Sequence, residues 1–258
     1  MPPRKRAAEQ GGSGFMQRPR GAAMPIVTVL ALSVFATSAV CAEPASTRAM
    51  PTTFEEEKPT ACAAKAVSAI QSRYRETFDL RARFRQATHS VAFGTQGGSQ
   101  PSEGTVQFAK PGKMRWSYER PTPSLVLSNG DVLWLYDPEK REAQRLALSG
   151  GQEYFSAAGV RFLLGDGDIL REFHTTHDDC SGDSFELELV PRSAATYEKL
   201  QVRVDPGTGD LVQTRIVDLL GNVTVVDFSE IEVNRDPDPS VFEFDPPPGI
   251  RVIELGLP

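Results

Sequence analysis

The chain has 258 residues, with 28 Lys and Arg against 34 Asp and Glu, a formal net charge of −6 at pH 7. An acidic balance is repelled by phosphate backbones and by anionic lipid surfaces, which argues against a nucleic-acid partner.

The first forty residues carry a targeting pattern. Arg18 and Arg20 precede an uncharged apolar run from Met24 to Val40, and small residues follow it. Cleavage after Ala42, with Val40 at −3 and Ala42 at −1, fits a secretory signal peptide. Two alternatives stay open. The run is nearly long enough for an uncleaved membrane anchor. Cys41 is a lipidation candidate, although Val40 before it departs from the small residue such sites want. Initiation at Met16 or Met24 rather than Met1 would shorten the signal. Removing residues 1–42 lowers Lys and Arg from 28 to 23 and Asp and Glu from 34 to 33, a net −10. No second long apolar run follows.

Residues 43–60 are rich in Pro, Thr and Glu and lack periodicity, which predicts a tether. The ordered domain, 61–258, is expected to begin behind Thr60, a candidate helix N-cap. Ala63, Val67, Ile70, Tyr74 and Phe78 recur at helical spacing and predict one amphipathic helix. The period then becomes two. Leu80, Ala82 and Phe84 alternate with Arg81, Arg83 and Arg85, giving a strand with one apolar face. Val106 and Phe108 alternate after a Gly-rich loop. The stretch 110–138 reads as three strands, with turns at Pro111-Gly112 and Asn129-Gly130. Within it Met114, Trp116 and Tyr118 point one way and Lys113, Arg115, Ser117 and Glu119 the other. A helical interruption is expected at about Ala157 to Leu164. Further alternating runs lie at 185–189, 200–204, 211–218 and 223–233, joined by turns at Asp205–Gly209 and Gly221-Asn222. About ten strands, one long helix and a short central one predict a mainly β, α+β domain. Its sheet would be single, antiparallel and strongly curved, with both helices on the concave face.

Motifs for chemistry are sparse. Leu148–Gln152 spells LSGGQ, but no GxxxxGK[ST] phosphate loop accompanies it, so it reads as a loop. His174, His177, Asp178 and Cys180 sit close together in HTTHDDC, the chain's one metal-like cluster. It lacks HExxH spacing and a cysteine pair. A secreted metal-dependent hydrolase using His174, His177 and Asp178 is the alternative reading from a different class. Gly165–Asp168 lacks the remaining acidic ligands of a calcium loop. Cys62 and Cys180 survive signal removal. An even count in an oxidising compartment favours a disulfide, the alternative being two free thiols.

The block Lys113-Met114-Arg115-Trp116, Pro121, Ser128-Asn129-Gly130 and Leu133–Pro138, behind a basic residue and Pro111, resembles the signature of the outer-membrane lipoprotein carrier (LolA) family. Phe162–Gly165 is similar to that family's central helical segment, and Phe242–Ile253 to its C-terminal motif. The resemblance spans nearly the whole mature chain. It implies an unclosed β-barrel under a helical lid, enclosing an apolar cavity for lipoprotein acyl chains, lined here by Phe84, Met114, Trp116, Trp134, Phe162 and Leu163. Without it, Trp116, Trp134 and Phe84 read as ordinary core. It implies a latch at Lys110, where the family usually has Arg, hydrogen-bonding lid carbonyls; a solvated lysine at a strand end is the plain alternative. It further implies a monomeric periplasmic carrier, not an enzyme, without cofactor or metal. Acylated lipoproteins would be its cargo, an inner-membrane lipoprotein-releasing ABC transporter its donor and an outer-membrane receptor its acceptor. The receptor of the same fold, and a periplasmic sensor for mislocalised lipoproteins, are the related alternatives.

Overall fold

The computed structural model describes residues 59–91, 100–148 and 168–256. The expected central helix at 157–164, with Phe162 and Leu163, lies outside them, as do the signal and most of the tether. Thr60 opens helix α1 (Ala61–Glu76), its side chain accepting from the Ala63 N–H at 3.0 Å. This satisfies one of the donors that a helix start leaves without a partner. Ala63, Ala66, Val67, Ile70 and Tyr74 form the buried stripe. Phe78, expected to extend it, is 69 % exposed, because the helix stops at Glu76 and the chain turns into a strand.

Twelve strands follow: β1 (Asp79–His89), β2 (Ser102–Ala109), β3 (Lys113–Arg120), β4 (Ser124–Asn129), β5 (Val132–Asp137), β6 (Glu142–Ala147), β7 (Phe173–Asp179), β8 (Phe185–Pro191), β9 (Tyr197–Val204), β10 (Leu211–Asp218), β11 (Val223–Val233) and β12 (Arg251–Leu255). A one-turn helix α2 (Ile169–Glu172) precedes β7, its first N–H groups capped by Asp168. A 3-10 turn lies at Pro239–Phe242. Residues 110–138 fold as expected, while β6, β7 and β12 are strands that the alternation did not reveal.

All twelve form one sheet in the order β12-β6-β5-β4-β3-β2-β1-β11-β10-β9-β8-β7, with β12 and β7 as its edges. Neighbours are antiparallel except β12 and β6, which run parallel. That exception corrects the expectation of a purely antiparallel sheet. Residues 234–250 carry the chain from β11, inside the sheet, to the edge strand β12.

The sheet is bent about its middle. Strands β3 and β11 are three steps apart, ~14 Å on a flat sheet. Yet the rings of Trp116 and Phe228 lie 6.2 Å apart, so their shared face is concave. Gly104, at a bulge between β2 and β3, permits the bend. A Cβ there would stand 2.0 Å from the Ser117 carbonyl oxygen. The concave face carries the main core under α1: Leu80, Ala82 and Phe84 of β1, Val106 and Phe108 of β2, Met114 of β3, and Leu187, Leu200, Val202 and Val204 of β8 and β9.

Candidate functional site

The middle of the concave face holds an aromatic group that four strands place together. Phe84 packs on Trp116 with centroids 4.8 Å apart and on Tyr118 at 5.0 Å, while Phe108 and Phe228 each lie 6.2 Å from Trp116. Strand pairing explains the grouping. Val106 is opposite Trp116, Gly104 opposite Tyr118, and Phe84 opposite both Gly104 and Phe228. The glycine leaves room for the Phe84 ring to lie above it. Phe84 and Met114 are buried, whereas Trp116 and Tyr118 are half-buried. Tyr118 donates to Gln86 Oε1 at 3.0 Å, and burial pushes its phenol up to about 12, so it remains a neutral donor. Half-buried Val126, Leu133 and Leu146 continue the apolar surface toward β6.

Helix α1 covers one side of this surface. The Leu211 N–H donates to Tyr74 Oη at 3.1 Å, and burial raises that phenol's pKa strongly. Between Tyr74, Leu80, Phe108 and Phe228 a cavity of about 10 Å³ remains. This is room for about one water, against the ~300–1,000 Å³ of ligand sites. This pocket by itself is too small for an acyl chain.

Polar contacts hold the cover down. Arg73 grips Asp210 through two bonds, Nε to Oδ1 at 2.6 Å and Nη2 to Oδ2 at 3.0 Å. Three carbonyls of the last turn find side-chain donors: Arg73 O from Thr77 Oγ1, Tyr74 O from Lys110 Nζ at 2.6 Å, and Glu76 O from Asn234 Nδ2. A cation is well placed there, because unpaired carbonyls leave a helix C-terminus partly negative. Lys110 was expected to hold a lid segment; the structure puts its ammonium on α1, and residues 157–164 lie outside the description. At the other end of α1, Cys62 is disulfide-bonded to Cys180, with Cα atoms 5.9 Å apart. The sequence had left that pairing open.

Trp134 requires a correction. Trp116 pairs with Val126, but Trp134 pairs with Leu127, so alternation sends the two tryptophans to opposite faces. Trp134 lies on the convex side against Phe244 at 5.3 Å, with the Arg145 guanidinium over its ring. There the C-terminal segment forms a second apolar layer with Leu125, Leu127, Ala143 and Phe242, all buried. Arg115 anchors this layer by donating to the Val241 carbonyl at 2.9 Å, and burial lowers its pKa. Trp134 does not share a face with Phe84, Met114 and Trp116. The register of the Asn129-Gly130 hairpin, which pairs Ser128 with Leu133, is the signal that would have revealed it.

The His174, His177 and Asp178 cluster is also dispersed. These residues belong to edge strand β7, where pairing with Val190 and Glu188 turns the histidines outward. Asp178, opposite Leu187, turns inward and accepts from Thr60 Oγ1 at 2.7 Å. Cys180 is committed to its disulfide. Among the described residues no group of three or more His, Cys, Asp or Glu side chains could hold a metal ion. The metal-hydrolase alternative therefore has no geometry behind it.

Comparison with known proteins gives a consistent result. The family model described as "Outer membrane lipoprotein carrier protein LolA" matches residues 75–245. An outer-membrane lipoprotein carrier protein from Dechloromonas aromatica is 30 % identical over 194 residues, covering 74 % of this chain and 88 % of its own. One from Nitrosospira multiformis is 32 % identical over 155 residues, covering 60 % and 73 %. Among solved structures, a LolA superfamily protein from Nitrosomonas europaea overlaps 70 % of this chain and 97 % of its own, with 16 % identity and a TM-score of 0.39.

Proposed function

The chain belongs to the family of outer-membrane lipoprotein carrier proteins, LolA, and from that membership we propose that it shuttles acylated lipoproteins through the periplasm. Its concave face receives their acyl chains. The observation that carries this reading is the continuous apolar surface of Phe84, Met114, Trp116 and Tyr118, half-exposed at Trp116 and Tyr118 and covered at its side by a polar-clasped helix. Burying one sixteen-carbon chain gains ~12 kcal/mol at ~0.8 kcal/mol per methylene. Each charge-assisted clasp contributes ~1.5–3 kcal/mol, so cargo can displace the cover where the clasps give way. No bond is made or broken. In this reading Lys110 favours the closed form.

Cargo would come from an inner-membrane lipoprotein-releasing ABC transporter and pass to an outer-membrane receptor. Cleavage after Ala42 would free the carrier, and among the described residues no helix is long and apolar enough to cross a membrane. A diacylated Cys41 in the intact mass would instead make the protein a tethered receptor. The direct test is Met114→Glu. Its carboxylate would enter the buried lining at a cost of several kcal/mol. Loading with a lipoprotein radiolabelled in its acyl chains should fall at least roughly tenfold in a variant that still folds. Unchanged loading would remove the concave face from the acyl route.

A further inference from the structure

The hairpin between β10 and β11 carries exposed apolar side chains at its apex. Leu219 and Leu220 stand side by side at its apex, 65 % and 78 % exposed, and Val91 beside them is 61 % exposed. Val91 lies on the turn, its Cγ1 3.5 Å from where a Cβ on Gly221 would stand, and its N–H donates to Asn222 Oδ1. The turn satisfies its own polar groups. Asp218 Oδ1 accepts from the N–H groups of Leu220 and Asn222, both at 2.8 Å, and Oδ2 accepts from Asn222 Nδ2 at 2.8 Å. The Gly221 N–H donates to the Asp218 carbonyl and the Asp218 N–H to the Asn222 carbonyl.

From these contacts we infer that the β10–β11 apex is a lipid-surface contact, seating Leu219, Leu220 and Val91 among the headgroups and upper acyl chains of an uncharged membrane face. Three features select that occupant. The apex holds its leucines outward on a preformed turn, and its internally bonded backbone can leave water without stranding those donors. Three apolar side chains fall far short of the ~800 Å² per side of a specific protein interface. Interfacial partition, by contrast, strengthens with each apolar side chain inserted. The chain's net −6 works against an anionic surface. Position adds a use for the contact. The apex continues β11, whose Val226 and Phe228 belong to the concave apolar face, so a membrane met here lies at the aromatic end of that face.

The protein as the cell secretes it would be mixed with phosphatidylcholine vesicles, with and without phosphatidylglycerol. Wild type should sediment with the neutral vesicles and less with the anionic ones. Leu219→Ser with Leu220→Ser should weaken neutral-vesicle binding roughly tenfold or more, with the near-ultraviolet circular dichroism unchanged. Leu220→Trp should be quenched by brominated phosphatidylcholine beyond the wild-type level. Equal binding by the double variant, binding that rises with phosphatidylglycerol, or an unquenched Trp would each overturn the inference. So would loss of transfer to a receptor protein in the absence of any vesicle binding, which would make the apex a protein contact.

Discussion

The chain's two tryptophans sit in similar alternating strands and do opposite things. Trp116 is half-buried on the concave face, among Phe84, Phe108, Tyr118 and Phe228, near a helix clasped by Arg73, Lys110 and a disulfide. Trp134 lies on the convex face under a Pro-rich segment that Arg115 and Phe242 hold down. The sheet thus has two apolar faces with two kinds of cover. One cover is tied covalently and by charge at its ends. The other is wedged in place by a buried aromatic ring. Under the proposed carrier reading, cargo belongs on the Trp116 side, whose cover is held by polar clasps as well as by packing.

The comparison is tested most severely by removing the fastener of each cover. Replacing both Cys62 and Cys180 by Ser opens a loop of 118 residues and should cost ~4–5 kcal/mol in the chain-entropy model. Urea unfolding of the oxidised wild type against the double variant measures it. A loss below ~1 kcal/mol would mean the disulfide adds little to the clasps. Phe242→Ala removes the wedge of the convex layer, where Phe242 is 2 % exposed, and should cost ~3 kcal/mol. Acyl loading per folded molecule should not change. If loading falls with it, the two faces are coupled and the assignment by side is wrong.

Much of this arrangement was legible in the chain, for identifiable reasons. Where one face of a strand is apolar and the other charged, as in Leu80-Arg81-Ala82-Arg83-Phe84, alternation reveals both the strand and its buried side. Strand β7, His174-Thr175-Thr176-His177, is a polar sheet edge, so it resembled a ligand cluster instead. Strand β6 carries Glu142, Gln144 and Arg145 and showed no clear apolar face. In β5 every position is half-buried, because both faces are partly covered, so composition could not say which side Trp134 takes. Only the pairing of Ser128 with Leu133 decides it. Phe78 failed because helical spacing does not reveal where a helix stops. The partner of Cys62 stayed open because the pairing depends on α1 meeting the end of β7, a tertiary contact.

A smaller effect separates a clasp from a fastener. Lys110→Leu deletes the bond to the Tyr74 carbonyl and adds apolar surface, so the closed form should lose ~1.5–3 kcal/mol. Radiolabelled lipoprotein should then load at least as well and leave more slowly for a receptor. Lys110→Arg should preserve transfer, since the guanidinium fork can reach two carbonyls. Equal transfer rates for wild type and Lys110→Leu would reduce this lysine to a helix-end contact without a part in release.

The smallest expected effect concerns the part of the convex face that the C-terminal layer does not cover, where charged ladders replace apolar packing. Glu188 of β8 accepts from Lys199 at 2.9 Å, Thr176 at 2.8 Å and Gln201 at 2.7 Å. These partners, the Lys199 bond foremost, hold its carboxyl down at about 2 against an ordinary 4.5. A depressed carboxylate stabilises the fold fully above its unfolded pKa, and the gain is lost as pH falls through the folded one. The window therefore runs from about pH 4.5 down to about pH 2. The ladder faces solvent, and screening discounts the effect to ~1 kcal/mol. Glu188→Gln should be less stable than wild type by that amount at neutral pH, and the difference should shrink on acidification across that window. Other exposed carboxylates titrate in the same range, but they are common to both proteins and cancel in the difference. A gap that persists unchanged to pH 2 would assign the loss to the altered hydrogen bonds of Gln rather than to the charge. The solvated ladder would then stabilise its end of the sheet by geometry, as the wedged layer does at the other.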